Sequence, residues 1–177
     1  MKWSLIVLSG GLMCAGAQAA NSPVPAPNVH ELMKKVIAVQ AQVIWDVGNQ
    51  AQDDQGNPDA SKLKPADWGK VVSAAGQLKQ AAQSLAQADH VMAAAPGQKI
   101  DGEGGPGAFT AKQVQTVIDA NPKAFQAFAR ALTVSMDQIG AAAQAKNAAK
   151  LFDASGGLDQ ICENCHLQFW YPDQKTR

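Results

Sequence analysis

The sequence contains few cysteines and histidines, the residues that most often bind metals or act as nucleophiles and bases. It contains three cysteines and three histidines in 177 residues, and its acidic and basic side chains balance to a net charge of zero. This balance gives no indication of a nucleic-acid partner or a polybasic membrane anchor. β-Branched residues are scattered without period-two alternation, so no strand is predicted. Without paired carboxylates or a nucleophile constellation, no enzymatic activity is predicted either.

The few chemistry-bearing residues gather in a Cys-x-x-Cys-His motif formed by Cys162, Cys165 and His166. In this pattern two thiols add to the two vinyl groups of a c-type haem, and the histidine binds the iron as proximal ligand. In a helix, residues three apart lie on one face, so both thiols can reach the same porphyrin. The motif therefore predicts one covalently attached haem c.

Other interpretations of the motif require partners that the chain scarcely offers. A structural zinc site needs four ligands, and only His30 and His90 remain to complete one. A redox dithiol would be expected beside a βαβ unit, for which the sequence has no strands. A disulfide between the two cysteines and a coincidental match are the remaining alternatives.

The N-terminus predicts export. After a basic start, residues 3–17 are apolar, and the small-x-small site Ala17-Gln18-Ala19 follows. Because the run is too short for a comfortable membrane span, residues 1–20 are interpreted as a cleaved secretory signal peptide. Cleavage would remove Cys14 and leave only the two motif cysteines. A lipoprotein anchored at Cys14 is the alternative, although the residues before it fit lipid attachment poorly.

After a Pro-rich leader at 21–27, residues 28–177 are predicted to form one domain made of four long amphipathic helices. The first two are expected at 29–47, capped by Asn28 and ended by Gly48, and at 68–95, capped by Asp67 and ended by Pro96-Gly97. The third begins at Asn121-Pro122, and the fourth runs from Asn147 through the motif to a point before Pro172, with a break allowed at Gly156-Gly157.

Two shorter segments separate the second and third long helices. Residues 98–108 are rich in glycine and predict a flexible connection, and residues 110–120 predict a short helix. Four long amphipathic segments in a domain of this size indicate an all-α fold, most simply an antiparallel four-helix bundle.

With its haem motif after three such helices, the chain resembles the cytochrome c-prime and cytochrome c-556 family, the class II c-type cytochromes. The resemblance covers the chain after the signal peptide and is carried by Glu31-Leu32-Met33, Asp67-Trp68 and residues 162–170. It implies a four-helix bundle with the haem on the last helix. Phe169 matches an aromatic residue of the family, whereas Trp170 stands where c-prime proteins usually have Arg or Lys. The c-556-like branch is therefore the nearer match.

The resemblance also implies a sixth iron ligand at Met33, the position where low-spin c-556-type members carry a methionine. A methionine on an apolar helical stripe is more often a core residue than a ligand. In that case Met33 would shield the iron without binding it. His30 shares the start of that helix and is expected to be solvated. His90 and Met92 are expected away from the distal face of the haem, and Met136 in the core.

Together these features predict a periplasmic monohaem electron carrier that docks transiently with redox proteins and is not an enzyme. The alternative is a five-coordinate haem protein that binds NO or CO, with Met33 only covering the iron. Peroxidase-like catalysis would need a distal acid–base group, for which His30 is the candidate. Dimerisation along the first helix is common in the family.

Overall fold

A computed structural model describes residues 25–172. The signal peptide predicted at 1–20, its cleavage site and most of the leader at 21–27 lie outside the described residues. Residues 25–172 are mostly helical and contain no strand, only two isolated backbone bridges. The prediction of an all-α fold is confirmed. None of the helices in this part of the chain is long and apolar enough to cross a membrane.

Residues 25–172 form five helices. Helix α1 has three consecutive pieces, which are α-helical at Val29–Leu32, π-helical at Met33–Ile37 and α-helical again at Ala38–Gln50. A 3-10 turn at Ala60–Lys62 leads to helix α2 at Pro65–Gln87. Helix α3 spans Ala111–Ala120, helix α4 Pro122–Gln144 and helix α5 Ala148–Phe169.

Local capping chemistry explains where several helices begin. The Asn28 carboxamide oxygen accepts the N–H of Glu31 at 3.1 Å, and that of Asn147 accepts the N–H of Lys150 at 2.9 Å. Pro122 occupies the start of α4, where its missing N–H costs no helical hydrogen bond. These three predicted helix starts are confirmed, and so is the short helix α3.

Three predicted boundaries are wrong, namely the end of α1 and both ends of α2. Helix α1 continues through Gly48 to Gln50. The break that the sequence allowed at Gly156-Gly157 does not occur, and α5 is continuous there. Helix α2 ends at Gln87 and not at residue 95. Its start also differs, because Asp67 lies inside the first turn, where its carboxylate accepts the backbone N–H of Lys64 at 3.1 Å.

A long-range contact explains the early end of α2. The first N–H groups of a helix have no partner within it, and those of α1 bond to the segment after α2. The N–H of Val29 donates to the carbonyl of Met92 at 2.8 Å, and the N–H of His30 to that of Ala93 at 3.0 Å. Met92 in turn donates to the carbonyl of Pro27 at 2.9 Å. Residues 88–93 therefore serve as an extended strap across the start of α1.

The long helices pack in antiparallel pairs. The Gln126 side chain at the start of α4 donates to the carbonyl of Ala88 just after α2, at 3.0 Å. Near the other end of this pair, a Cβ on Gly140 would lie 4.0 Å from the Cβ of Ala75. Small residues thus let α2 and α4 approach closely.

Helices α1 and α5 form a second antiparallel pair, which carries the motif. A Cβ on Gly48, near the end of α1, would lie 3.4 Å from the Ser155 hydroxyl in the first half of α5. The opposite ends of these helices hold Met33 and His166, which line the same cavities.

Replacing Leu78 with alanine should destabilise the protein strongly. Leu78 is fully buried in α2 at 0% exposure, so truncation removes apolar contacts and leaves a cavity. We expect the free energy of unfolding to fall by about 2–5 kcal/mol. Val134→Ala on α4, where the side chain is 57% exposed, is the matched control and should change it by at most about 0.5 kcal/mol. Urea denaturation of both variants checks this, and equal effects would contradict the assignment of the core.

Candidate functional site

Two cavities lie beside the C-terminal half of α5, with volumes of about 370 Å³ and 250 Å³. They have five lining residues in common, which are Met33, Ala38, Phe125, Cys165 and His166. Most of the remaining lining is aliphatic or aromatic. Together the two cavities have the size of a ligand site, for which about 300–1,000 Å³ is typical, and their apolar walls suit a largely apolar ligand.

The two cysteines of the motif face these cavities. Cys165 lines both cavities, and Cys162 lines the smaller one. Both are free thiols, and burial raises the pKa of Cys162 to about 11 and that of Cys165 to about 12. A redox dithiol has the opposite property, a lowered thiol pKa that supplies the reactive thiolate. The environment therefore favours a structural or attachment role for the two thiols over disulfide exchange.

His166 presents its imidazole to both cavities from the last turns of α5. Burial lowers the pKa of His166 below its usual value, while the nearby Glu163 carboxylate opposes this shift. Burial therefore favours the neutral ring, the form that binds a metal. Trp170 packs edge-on against the ring with centroids 4.9 Å apart. An aromatic neighbour thus occupies the place where the resemblance would put Arg or Lys.

Met33 comes from the other end of the chain and lines the same two cavities as His166. It is the first residue of the π-helical segment of α1. Single π turns inside α-helices are rare and often occur at functional sites, because the wider turn shifts the direction of the following side chains. The tertiary structure therefore brings together a thioether and an imidazole that are almost the length of the domain apart in sequence.

The expectation that His30 is solvated is wrong. Its side chain is 8% exposed and lines the larger cavity. Neither ring nitrogen makes a hydrogen bond, and Nε2 lies 3.6 Å from a carboxylate oxygen of Asp101. The reason is tertiary, since the strap after α2 holds the start of α1 and the following segment covers the ring. The larger cavity therefore contains a buried imidazole without a hydrogen-bond partner.

The segment between α2 and α3 contributes lining residues to the larger cavity, which its sequence did not indicate. Ala93, Ile100 and Asp101 line the larger cavity beside Lys34. The Lys34 ammonium donates to the Asp101 carboxylate at 3.4 Å. Gly102, with φ of 75°, supplies a backbone conformation that other residues rarely adopt. The glycines indicated an irregular segment, but nothing in their spacing indicated that it closes over a cavity.

Aromatic side chains complete the lining of the cavities, whereas Met136 and His90 lie away from them. Phe125 lines both cavities, and Trp45 and Phe128 line the smaller one. Met136, 1% exposed, lies in the core as predicted. His90 is exposed on the surface and lines neither cavity, so it is distant from the place expected for the distal ligand.

Within residues 25–172 no three His, Cys, Asp or Glu side chains are placed so that they could hold a metal ion by themselves. The motif thus offers one imidazole and two thiols beside apolar cavities, with a thioether lining the same space. Comparison with known proteins found no matching family model, curated protein or solved structure.

Proposed function

We propose that this chain is a class II c-type cytochrome that carries one haem c and transfers single electrons in the periplasm. Cys162 and Cys165 would form the thioether bonds, His166 would be the proximal iron ligand and Met33 the sixth ligand. The observation that carries the proposal is that Met33, Cys165 and His166 all line the same two apolar cavities.

The lining residues fit the chemistry of a haem. A porphyrin is broad and apolar, and apart from Met33 and the motif residues the smaller cavity is lined by alkyl and aromatic groups. The propionates at one edge of a haem are anionic and need polar neighbours. The larger cavity has such neighbours in Lys34 and in the unpartnered ring of His30. Lys34 would be available as a charge partner for the propionates, and Trp45 would contribute to the apolar lining around the porphyrin.

The helix packing supports an antiparallel four-helix bundle made of α1, α2, α4 and α5, with α3 as an added short helix. Two antiparallel pairs, α1 with α5 and α2 with α4, are the arrangement that such a bundle requires. Bundle cores commonly hold cofactors between facing helices. Here the facing elements would be α1, which supplies Met33, and α5, which supplies the motif.

Electron transfer suits this set of residues better than catalysis. A bound haem supplies a one-electron couple, and a methionine ligand together with apolar surroundings raises its reduction potential. The protein would hold the iron between two side chains on packed helices, so the geometry would change little between oxidation states. Partners would be redox proteins that dock transiently through a small interface near the haem edge.

The alternative function, binding of NO or CO at a five-coordinate iron, has one observation in its favour. The larger cavity extends from Met33 to the buried His30, whose ring nitrogens have no hydrogen-bond partner. A small ligand on the iron could then accept a hydrogen bond in a space that excludes larger molecules. This requires Met33 to cover the iron without binding it.

Absorption spectra of the purified holoprotein in both oxidation states test the proposal. The full chain would be expressed with an export pathway and c-type haem maturation. We expect one covalent haem per chain, a low-spin spectrum and an absorption band from thioether ligation of the oxidised iron. A high-spin spectrum that responds readily to CO would favour the alternative. A chain without covalent haem after maturation would overturn both.

A further inference from the structure

Tyr171, the chain's single tyrosine, lies between the imidazole of His166 and the carboxylate of Glu163. Its hydroxyl donates to Glu163 Oε2 at 3.1 Å and lies 3.3 Å from His166 Nδ1. A hydroxyl has one proton and two acceptor lone pairs. Since its proton is given to Glu163, the Tyr171 oxygen is left to accept the N–H at His166 Nδ1. That places the imidazole proton on Nδ1 and leaves Nε2 as the free lone pair.

The end of α5 holds Tyr171 in this position. The carbonyl of His166 accepts the backbone N–H groups of both Trp170, at 2.8 Å, and Tyr171, at 3.0 Å. The Trp170 carbonyl in turn accepts the N–H of Phe109 at 2.8 Å. The chain therefore turns back over its own last helical turn, and the loop before α3 secures the turn. Three backbone hydrogen bonds therefore hold the segment that carries Tyr171, in addition to the bonds of its hydroxyl.

We propose that Glu163 and Tyr171 form a hydrogen-bond relay that fixes the orientation of His166 and makes it a stronger electron donor to the haem iron. This inference rests on the function proposed above. Partners of the second ring nitrogen orient a ligating histidine and raise its basicity. A more basic ligand stabilises the oxidised iron, so the relay lowers the reduction potential and opposes the effect of Met33. Tyr171 and Glu163 are positioning residues that act through His166.

Tyr171→Phe in the holoprotein is the direct test, because it removes the hydroxyl and keeps the ring that packs against His166. Loss of an outer-shell partner commonly changes metal affinity 10–100-fold. We expect the preference for oxidised over reduced iron to fall about tenfold, which raises the potential of a one-electron couple by about 59 mV. In the Met33→Ala background, the resonance Raman band of the reduced Fe–His166 bond should move to lower frequency.

Glu163→Gln and the double variant distinguish a relay from a direct charge effect. Glu163→Gln should raise the potential less than Tyr171→Phe, and adding it to Tyr171→Phe should change the potential no further. Asp159→Asn removes a carboxylate one turn earlier on the exposed face of α5 and is the matched charge control.

If Tyr171→Phe leaves the potential and the Fe–His166 band unchanged, the relay is wrong while the haem assignment stands. If Glu163→Gln raises the potential as much in the Tyr171→Phe background as in the wild type, Glu163 acts directly through its charge and the relay is wrong. A wild-type chain that binds no haem overturns the proposed function and the relay together.

Discussion

Replacing Met33 with alanine should convert the iron from six-coordinate and low-spin to five-coordinate and high-spin. The side chain lines both cavities beside His166, and among residues 25–172 no other thioether lines either of them. Its removal would take away the proposed sixth ligand and leave a space through which CO and NO could reach the iron. We expect the thioether absorption band to disappear, CO to bind readily and the reduction potential to fall, because a methionine ligand raises the potential. Absorption spectra, CO titration and potentiometry measure these changes.

Met136→Ala is the matched control for this variant. It deletes the same side chain from the core of α4, at a position that lines neither cavity. It should lower the free energy of unfolding by about 2–5 kcal/mol and leave the spectrum unchanged. A Met33→Ala protein that stays low-spin would mean that another side chain binds the iron. His30 is the first candidate, because its ring is buried in the same cavity without a hydrogen-bond partner.

Replacing both Cys162 and Cys165 with alanine should abolish covalent haem attachment. A thioether forms only where a thiol adds to a vinyl group, and the only other cysteine in the chain lies in the predicted signal peptide. Each single variant should retain one thioether bond to haem and carry less covalent haem than the wild type. Haem staining after denaturing electrophoresis, together with the mass of the intact chain, measures the result.

Ser155→Ala is a control on the same helix. Its hydroxyl is buried on the face of α5 toward Gly48 and lines neither of the two cavities beside the motif. This variant should carry covalent haem at the wild-type level. Haem that stays attached through denaturation in the double variant would contradict the assignment of the motif. A wild-type chain that contains zinc in place of haem would restore the alternative set aside above.

Features that depend on residues close together in sequence were predicted correctly, whereas features that depend on distant residues were not. The helix starts at Asn28 and Asn147 were predictable because each cap bonds to a backbone N–H only three residues away. The start at Pro122 was predictable because a proline at the first helical position loses no hydrogen bond. The end of α2 was not, since residues 88–93 leave the helix to bond with the start of α1. No local signal in the Ala-rich stretch before Pro96 competes with helix formation.

The π turn at Met33–Ile37 and the burial of His30 were missed for a related reason. The apolar stripe of α1 is compatible with a regular α-helix, and only packing against its neighbours selects the wider turn. Histidine at the start of an amphipathic helix is ordinarily solvated, and the segment that covers it here was predicted to be a flexible connection. Both features depend on contacts between parts of the chain that are distant in sequence.

The sequence by itself determined the all-α class, most of the helix starts and the spacing of Cys162, Cys165 and His166, because these depend on residues within one or two turns of each other. It also supplied the expectation of haem c, which rests on that spacing. Only the tertiary structure decided what surrounds the motif. It placed Met33 and His30 beside the cavities, Tyr171 against His166, and Asp101 near Lys34, because such contacts arise when distant helices and loops pack together. The attachment that we propose therefore depends on local sequence, whereas the proposed control of the iron depends on the fold.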